Sequence, residues 1–174
     1  MNSITVLPRN VQWKRGLASI LAAAGILAAA PSTAQDKPVG EFGWFGVGKA
    51  YEISKGHYYW VGEFSGSFFN ERGDGSPMHK SGLKCPGFNE LDFNNKRTNS
   101  GGYCIVTDLD GDVLRMTWRI PSGNPAAGSR NAGIVEYLGG TGKYKDWSGR
   151  QPFLGTVQIN WADGTATGYA SWIR

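Results

Sequence analysis

The stretch "YCIVTDLDGDVLRMTWRI", residues 103–120, constrains this chain more than any other. In its second arm Leu114, Met116, Trp118 and Ile120 alternate with Val113, Arg115, Thr117 and Arg119. A period of two puts one apolar and one polar face on a strand. The two arms flank "DGD", and an Asp-Gly corner between alternating segments is a strong short-range hairpin signal. A chain built around such a unit must find other strands to cover its apolar face.

The rest of the chain supplies them. Segments of β-type composition fall at 42–53, 57–69, 83–93, 132–139, 152–161 and 165–174, separated by glycine- and asparagine-rich turns. The segment at 83–93 reads as the weakest, because Pro86 interrupts it. The stretches 70–82 and 94–102 read as loops. In 152–161, Phe153, Val157, Ile159 and Trp161 share one parity and Thr156, Gln158 and Asn160 the other, so one face is again apolar. No segment beyond residue 40 carries a 3.6-residue apolar stripe. The expected fold is all-β: eight antiparallel strands in sequence order, closed into an up-and-down barrel that leaves no edge exposed. Eight strands enclose an interior just large enough for side chains or one small ligand.

The N-terminus reads differently. Arg9, Lys14 and Arg15 precede "LASILAAAGILAAA" (residues 17–30), and Ser32 and Ala34 fit a small-residue cleavage site. This is the pattern of a secretory signal peptide, residues 1–34, cut before Gln35. Fourteen residues reach only about 21 Å as a helix, short of a ~30 Å membrane core. The expected product is a flexible leader (35–40) followed by one barrel domain (41–174), periplasmic or secreted, with no membrane span after cleavage. Removing the three basic residues takes the charge from 18 Lys+Arg against 14 Asp+Glu to 15 against 14. No basic stripe remains, which disfavours a nucleic-acid partner.

Two cysteines, Cys85 and Cys104, stand in the exported part. A disulfide between them is the default in an oxidising compartment, with free thiols or a metal site as rivals. A zinc site would need more ligands at regular spacing than His57 and His79 provide, so no metal and no cofactor is expected. "DLDGD" (108–112) does not fit a calcium loop, because its glycine stands at the fourth position and Arg119 falls where a ligating acid belongs. "GEFSGS" (62–67) lacks the frame of a nucleophile elbow. "RGDG" (72–75) is too short a string to carry a function. "GGTGKYKDWSGR" (139–150) departs from a phosphate-binding loop, since Gly142–Lys143 is followed by Tyr144 rather than Ser or Thr, and a strand comes next.

Two acids inside strand segments, Glu63 and Glu136, are the candidate catalytic groups. An acid facing an apolar lumen would have a raised pKa suited to proton transfer, whereas one facing solvent would not. Tyr59, Met116 and Trp118 are the candidate ligand-lining residues. The 7 Trp, 7 Tyr and 8 Phe could also fill a small barrel unaided.

The "GGTG" step at Gly139–Gly142, Tyr144 two residues on, and Ser148–Gly149 between late strands resemble the allene oxide cyclase and dirigent type of calycin-like β-barrel. The order of Cys85, "GGYC", "TDLDGD", Trp118 and "GGTGKY" is also similar to small exported bacterial proteins of uncharacterised function. The resemblance implies a barrel that takes a small hydrophobic or aromatic molecule in its lumen. It implies, as alternatives, a cofactor-free isomerase or cyclase, or a structural or interaction protein with a filled barrel. The chain departs from the family at "KDW", where Trp147 would narrow one barrel end.

Overall fold

A computed structural model of the chain describes residues 37–159 and 162–174, with the side chains of 157 and 158 left aside. The signal peptide, the start of the leader, and the expectations placed on Val157, Gln158, Asn160 and Trp161 lie outside the described residues or side chains. The eight strands are β1 (Gly40–Ser54), β2 (His57–Asn70), β3 (Ser81–Asp92), β4 (Arg97–Thr107), β5 (Val113–Ile120), β6 (Asn131–Gly140), β7 (Gly149–Ile159) and β8 (Thr165–Trp172). Each pairs antiparallel with its neighbour in sequence, and β8 returns to β1 to close the barrel. The fold class read from the sequence is the fold observed.

Two expectations about strand limits are corrected. Pro86 does not interrupt β3, which stays in register with β2 through the pair Glu63 and Pro86. What the proline changes is the ladder to β4, which lapses between the pairs Lys84–Ile105 and Gly87–Gly102. A proline removes a ladder donor, and the Cys85–Cys104 disulfide spans that gap. The second correction is at 97–102, which is not loop but the first half of β4. Its turn is confined to 93–96, where Asp92 Oδ1 accepts the backbone N–H groups of Asn94 and Asn95 at 3.1 and 3.0 Å.

Inside the strands, glycine and aromatic residues are paired in space. A Cβ at Gly62 would stand 2.5 Å from the Trp60 indole, one at Gly48 2.6 Å from the same ring, and one at Gly87 2.7 Å from Trp118. Phe153 lies in the same way over Gly133, and Trp44 over Gly168. Each ring takes the place of a missing side chain on the barrel wall. A small barrel can then hold large aromatics without overpacking. Trp60 is fully buried and donates its indole N–H to Gly164 O at 2.7 Å.

Half of the barrel is solid. Phe68, Met78, Leu83, Val106, Leu114, Met116, Val135 and Tyr144 pack there with almost no exposure. Met78 enters from the β2–β3 loop, and Tyr144 from a short 3-10 turn, Gly142–Tyr144, between β6 and β7. The glycines of "GGTG" serve this crossing. Gly139 adopts φ +78°, beside a register shift between β5 and β6, and a side chain at Gly142 would collide with the Asp112 carboxylate. Trp147 packs edge-on against Tyr137 and Tyr144, at 5.3 and 5.0 Å between ring centroids.

Candidate functional site

The other half of the barrel, though lined by buried aromatics of the same core, is packed less completely. A cavity of about 60 Å³ lies there, walled by Phe42, Trp44, Phe64, Trp118, Ile120, Phe153, Ala170 and Trp172. A water needs roughly 10–15 Å³ on this scale, so the space holds several waters or a small organic molecule. Phe64 is the hub of the wall: it stacks on Trp60 (4.7 Å, 23°), tilts against Trp44 (4.5 Å, 59°) and meets Trp118 edge-on (5.7 Å, 68°). The disulfide is part of the same wall, since Cys85 and Cys104 both line the cavity.

Polar groups in the wall are few. Asn89, Thr98, Ser100, Asn131 and Thr156 line the cavity, and among the described residues no Asp, Glu, Lys, Arg or His does. Asn89 and Ser100 sit on adjacent strands, and the Ser100 hydroxyl donates to Asn89 Oδ1. Thr98 Oγ1 donates to Glu90 O at 3.0 Å. Asn131 holds the β5–β6 loop: its Oδ1 accepts Asn124 N–H at 2.7 Å and its Nδ2 donates to Asn124 O at 3.0 Å. Thr98, Ile120 and Asn131 stand near strand ends, so the cavity reaches towards the barrel end that carries the 93–96 turn and the 121–130 loop.

The candidate residues divide. Trp118 is on the cavity wall, and Met116 shares its inward parity but is fully buried in the packed half. Tyr59 is not a lumen residue. In β2 the inward residues are Trp60, Phe64 and Phe68, so Tyr59 faces out and stacks on Phe88 at 5.7 Å. Glu63 shares that outward face, is exposed, and accepts the Ser65 hydroxyl at 2.8 Å. Glu136 also faces out and pairs with Arg150 Nε at 3.1 Å. Both acids therefore lie outside the lumen, and neither is placed to exchange a proton there. His57 pairs with Glu90 at 2.9 Å, and the His79 ring contacts Asn70 and Asp74. No group of three or more His, Cys, Asp or Glu among the described residues could hold a metal ion.

"DLDGD" proves to be one half of a clasp. Asp108 Oδ1 accepts the N–H groups of Asp110 and Asp112 at 2.9 and 3.2 Å. Its other oxygen, Oδ2, has no neutral hydrogen-bond partner and is held instead by Lys143 Nζ at 2.5 Å. Lys143 also reaches Asp110 Oδ2 at 2.6 Å. Burial opposes ionisation of Asp108, but bonds from Lys143 and Tyr144 outweigh it and hold its carboxyl below the usual range. The bond to Asp108 chiefly raises the Lys143 pKa, and burial pushes the Tyr144 phenol up to about 12. An ammonium thus occupies the position that the sequence pattern offers a cation.

Asn89 and Ser100 went unread in the sequence, although a signal existed. Once Cys85 is taken as inward, the period of two carries Gly87, Asn89 and Leu91 inward with it. In β4 the same step from Cys104 reaches Gly102 and Ser100. No family model, no curated protein and no solved structure matches this chain.

Proposed function

We propose that the protein is an exported β-barrel that binds a small hydrophobic or aromatic molecule in its lumen. The observation that carries this reading is the cavity itself: an uncharged, aromatic-walled space with a few convergent polar groups, the usual make-up of a small-molecule site. The wall rings are fixed by stacking and by their glycine seats, so such a site is preformed. The resemblance to allene oxide cyclase and dirigent barrels points the same way. The cyclase-type reading that relies on Glu63 or Glu136 is not favoured, because both acids face solvent. A purely structural barrel has less support, because the aromatic core leaves a cavity towards one end. Export to the periplasm or medium is supported by the leader pattern and by the disulfide, which suits an oxidising compartment.

Native mass spectrometry of the mature protein from its own culture, followed by solvent extraction, tests the reading. An adduct of one small neutral molecule per chain is expected. Protein that carries no adduct, and whose tryptophan emission does not respond to toluene, phenol or indole, would overturn it.

A further inference from the structure

We infer that the lumen selects an uncharged single-ring molecule bearing a carbonyl or amide group, and that Asn89, Ser100 and Trp118 recognise that group. This rests on the lumen being a binding site, and adds the chemistry of what it takes.

The inference comes from asking which polar groups of the wall are already satisfied. Asn131 uses both ends of its amide on Asn124. Thr98 is bonded to Glu90 O, and Thr156 Oγ1 to the Tyr169 backbone. Trp172 Nε1 is buried with no acceptor among the described residues. The rest of the unmet capacity is concentrated at one place. Asn89 is only 4% exposed, and its Oδ1 takes the Ser100 proton. Its Nδ2 is not sealed in protein and keeps N–H groups for whatever occupies the cavity that Asn89 lines. Trp118 Nε1, buried on the same wall, has no acceptor among the described residues.

This unspent capacity is that of a donor. Buried donors without acceptors are costly, and a ligand that supplies an acceptor recovers the loss. A carbonyl oxygen does so for Asn89, and the lone pairs left on Ser100 Oγ can take an amide N–H in turn. No cationic side chain among the described residues lines the cavity, so a carboxylate would enter as an unpaired buried charge and be rejected. Trp44, Phe64 and Phe153 offer ring faces and edges that suit a flat unsaturated body. The volume of about 60 Å³ is below the ~150 Å³ that takes one benzene, so it leaves room for nothing larger than a single ring.

Three compounds sharing one ring separate the terms: toluene, benzamide and benzoate, titrated calorimetrically against the mature protein. Benzamide should bind about tenfold more tightly than toluene, the worth of roughly one buried hydrogen bond, and benzoate most weakly. In Asn89→Ala the advantage of benzamide over toluene should vanish while toluene binding persists. Ser100→Ala and Trp118→Phe should each reduce that ratio, and they carry the test if Asn89→Ala fails to melt as a folded protein. Equal binding of toluene and benzamide, or a ratio unchanged in all the folded variants, overturns this inference and leaves lumen binding standing. Binding of none of the three, with no native adduct, defeats the binding reading itself.

Discussion

The Tyr144 hydroxyl accepts the backbone N–H of Met78 at 3.1 Å, joining two loops that lie 66 positions apart in the chain. Both residues are buried. Two connections at one barrel end thus meet at a single oxygen atom. Tyr144→Phe would leave the Met78 N–H unpaired in a dry environment, at a cost of about 1–3 kcal/mol. Urea unfolding should show the midpoint falling with little change in slope.

The clasp sets the pH limits of stability. Asp108 titrates lower in the folded protein than in the unfolded chain, so its contribution is present above about pH 4 and lost on acidification through the lowered value. Tyr144, raised to about 12, and Lys143, also raised, work in the opposite sense. Their contributions are full below about pH 10 and disappear as the pH climbs through the raised values. Thermal melts across pH should show a plateau between these limits. Lys143→Met should flatten part of the alkaline fall and remove part of the acid one, because Asp108 loses its ammonium partner.

Two glycines of β1 give opposite predictions. A Cβ at Gly46 would stand 2.8 Å from the Phe64 ring, whereas one at Gly43 meets nothing within 4 Å. Gly46→Ala should cost about 1–3 kcal/mol through overpacking and should also reshape the cavity wall. Gly43→Ala should be neutral or stabilising by up to about 1 kcal/mol, since it only restricts the unfolded chain. Chemical denaturation of both variants, and of Gly46→Ala combined with Phe64→Leu, decides the matter. The double variant should lose less than the sum of the two single ones.

Replacing Cys85 and Cys104 with serine opens a loop of 19 residues' separation, which should cost about 3 kcal/mol on chain-entropy grounds. Because both cysteines also form part of the lumen wall, ligand affinity should fall along with the melting temperature. Reduction of the wild-type protein should reproduce both effects.

Glu63→Gln and Glu136→Gln should each shift stability by no more than about 0.5 kcal/mol, the usual range for exposed positions, and should leave lumen binding unchanged. Calorimetric titration with the panel above is the measurement.

The fold was legible because parity is a local signal. Alternation in 113–120 and the turn residues around it are read from neighbours in the chain, and eight such segments in order leave few ways to close. The site was harder, since parity says which residues share a face but not which face is inside. Tyr59 and Glu63 share a face by parity, yet that face meets solvent because Trp60, Phe64 and Phe68 hold the opposite parity. In β4 a different obstacle arose: Asn99, Ser100, Gly101 and Gly102 have turn composition. They form a strand because Trp118, from the next strand, fills the space over Gly102. That pairing is not visible in either segment alone. "GGTGKYKDWSGR" departs from a phosphate cradle on sequence alone, but its Lys143 answers to Asp108, 35 residues before.

A barrel packed solid at one end is a blind passage. Whatever occupies the lumen must leave by the route it entered, past the loop that Asn131 fastens to Asn124. Entry and exit then share one barrier, so loosening that fastening with Asn131→Ala should quicken arrival and departure alike. Residence time should shorten by more than the equilibrium constant changes, the latter moving only because Asn131 also lines the cavity.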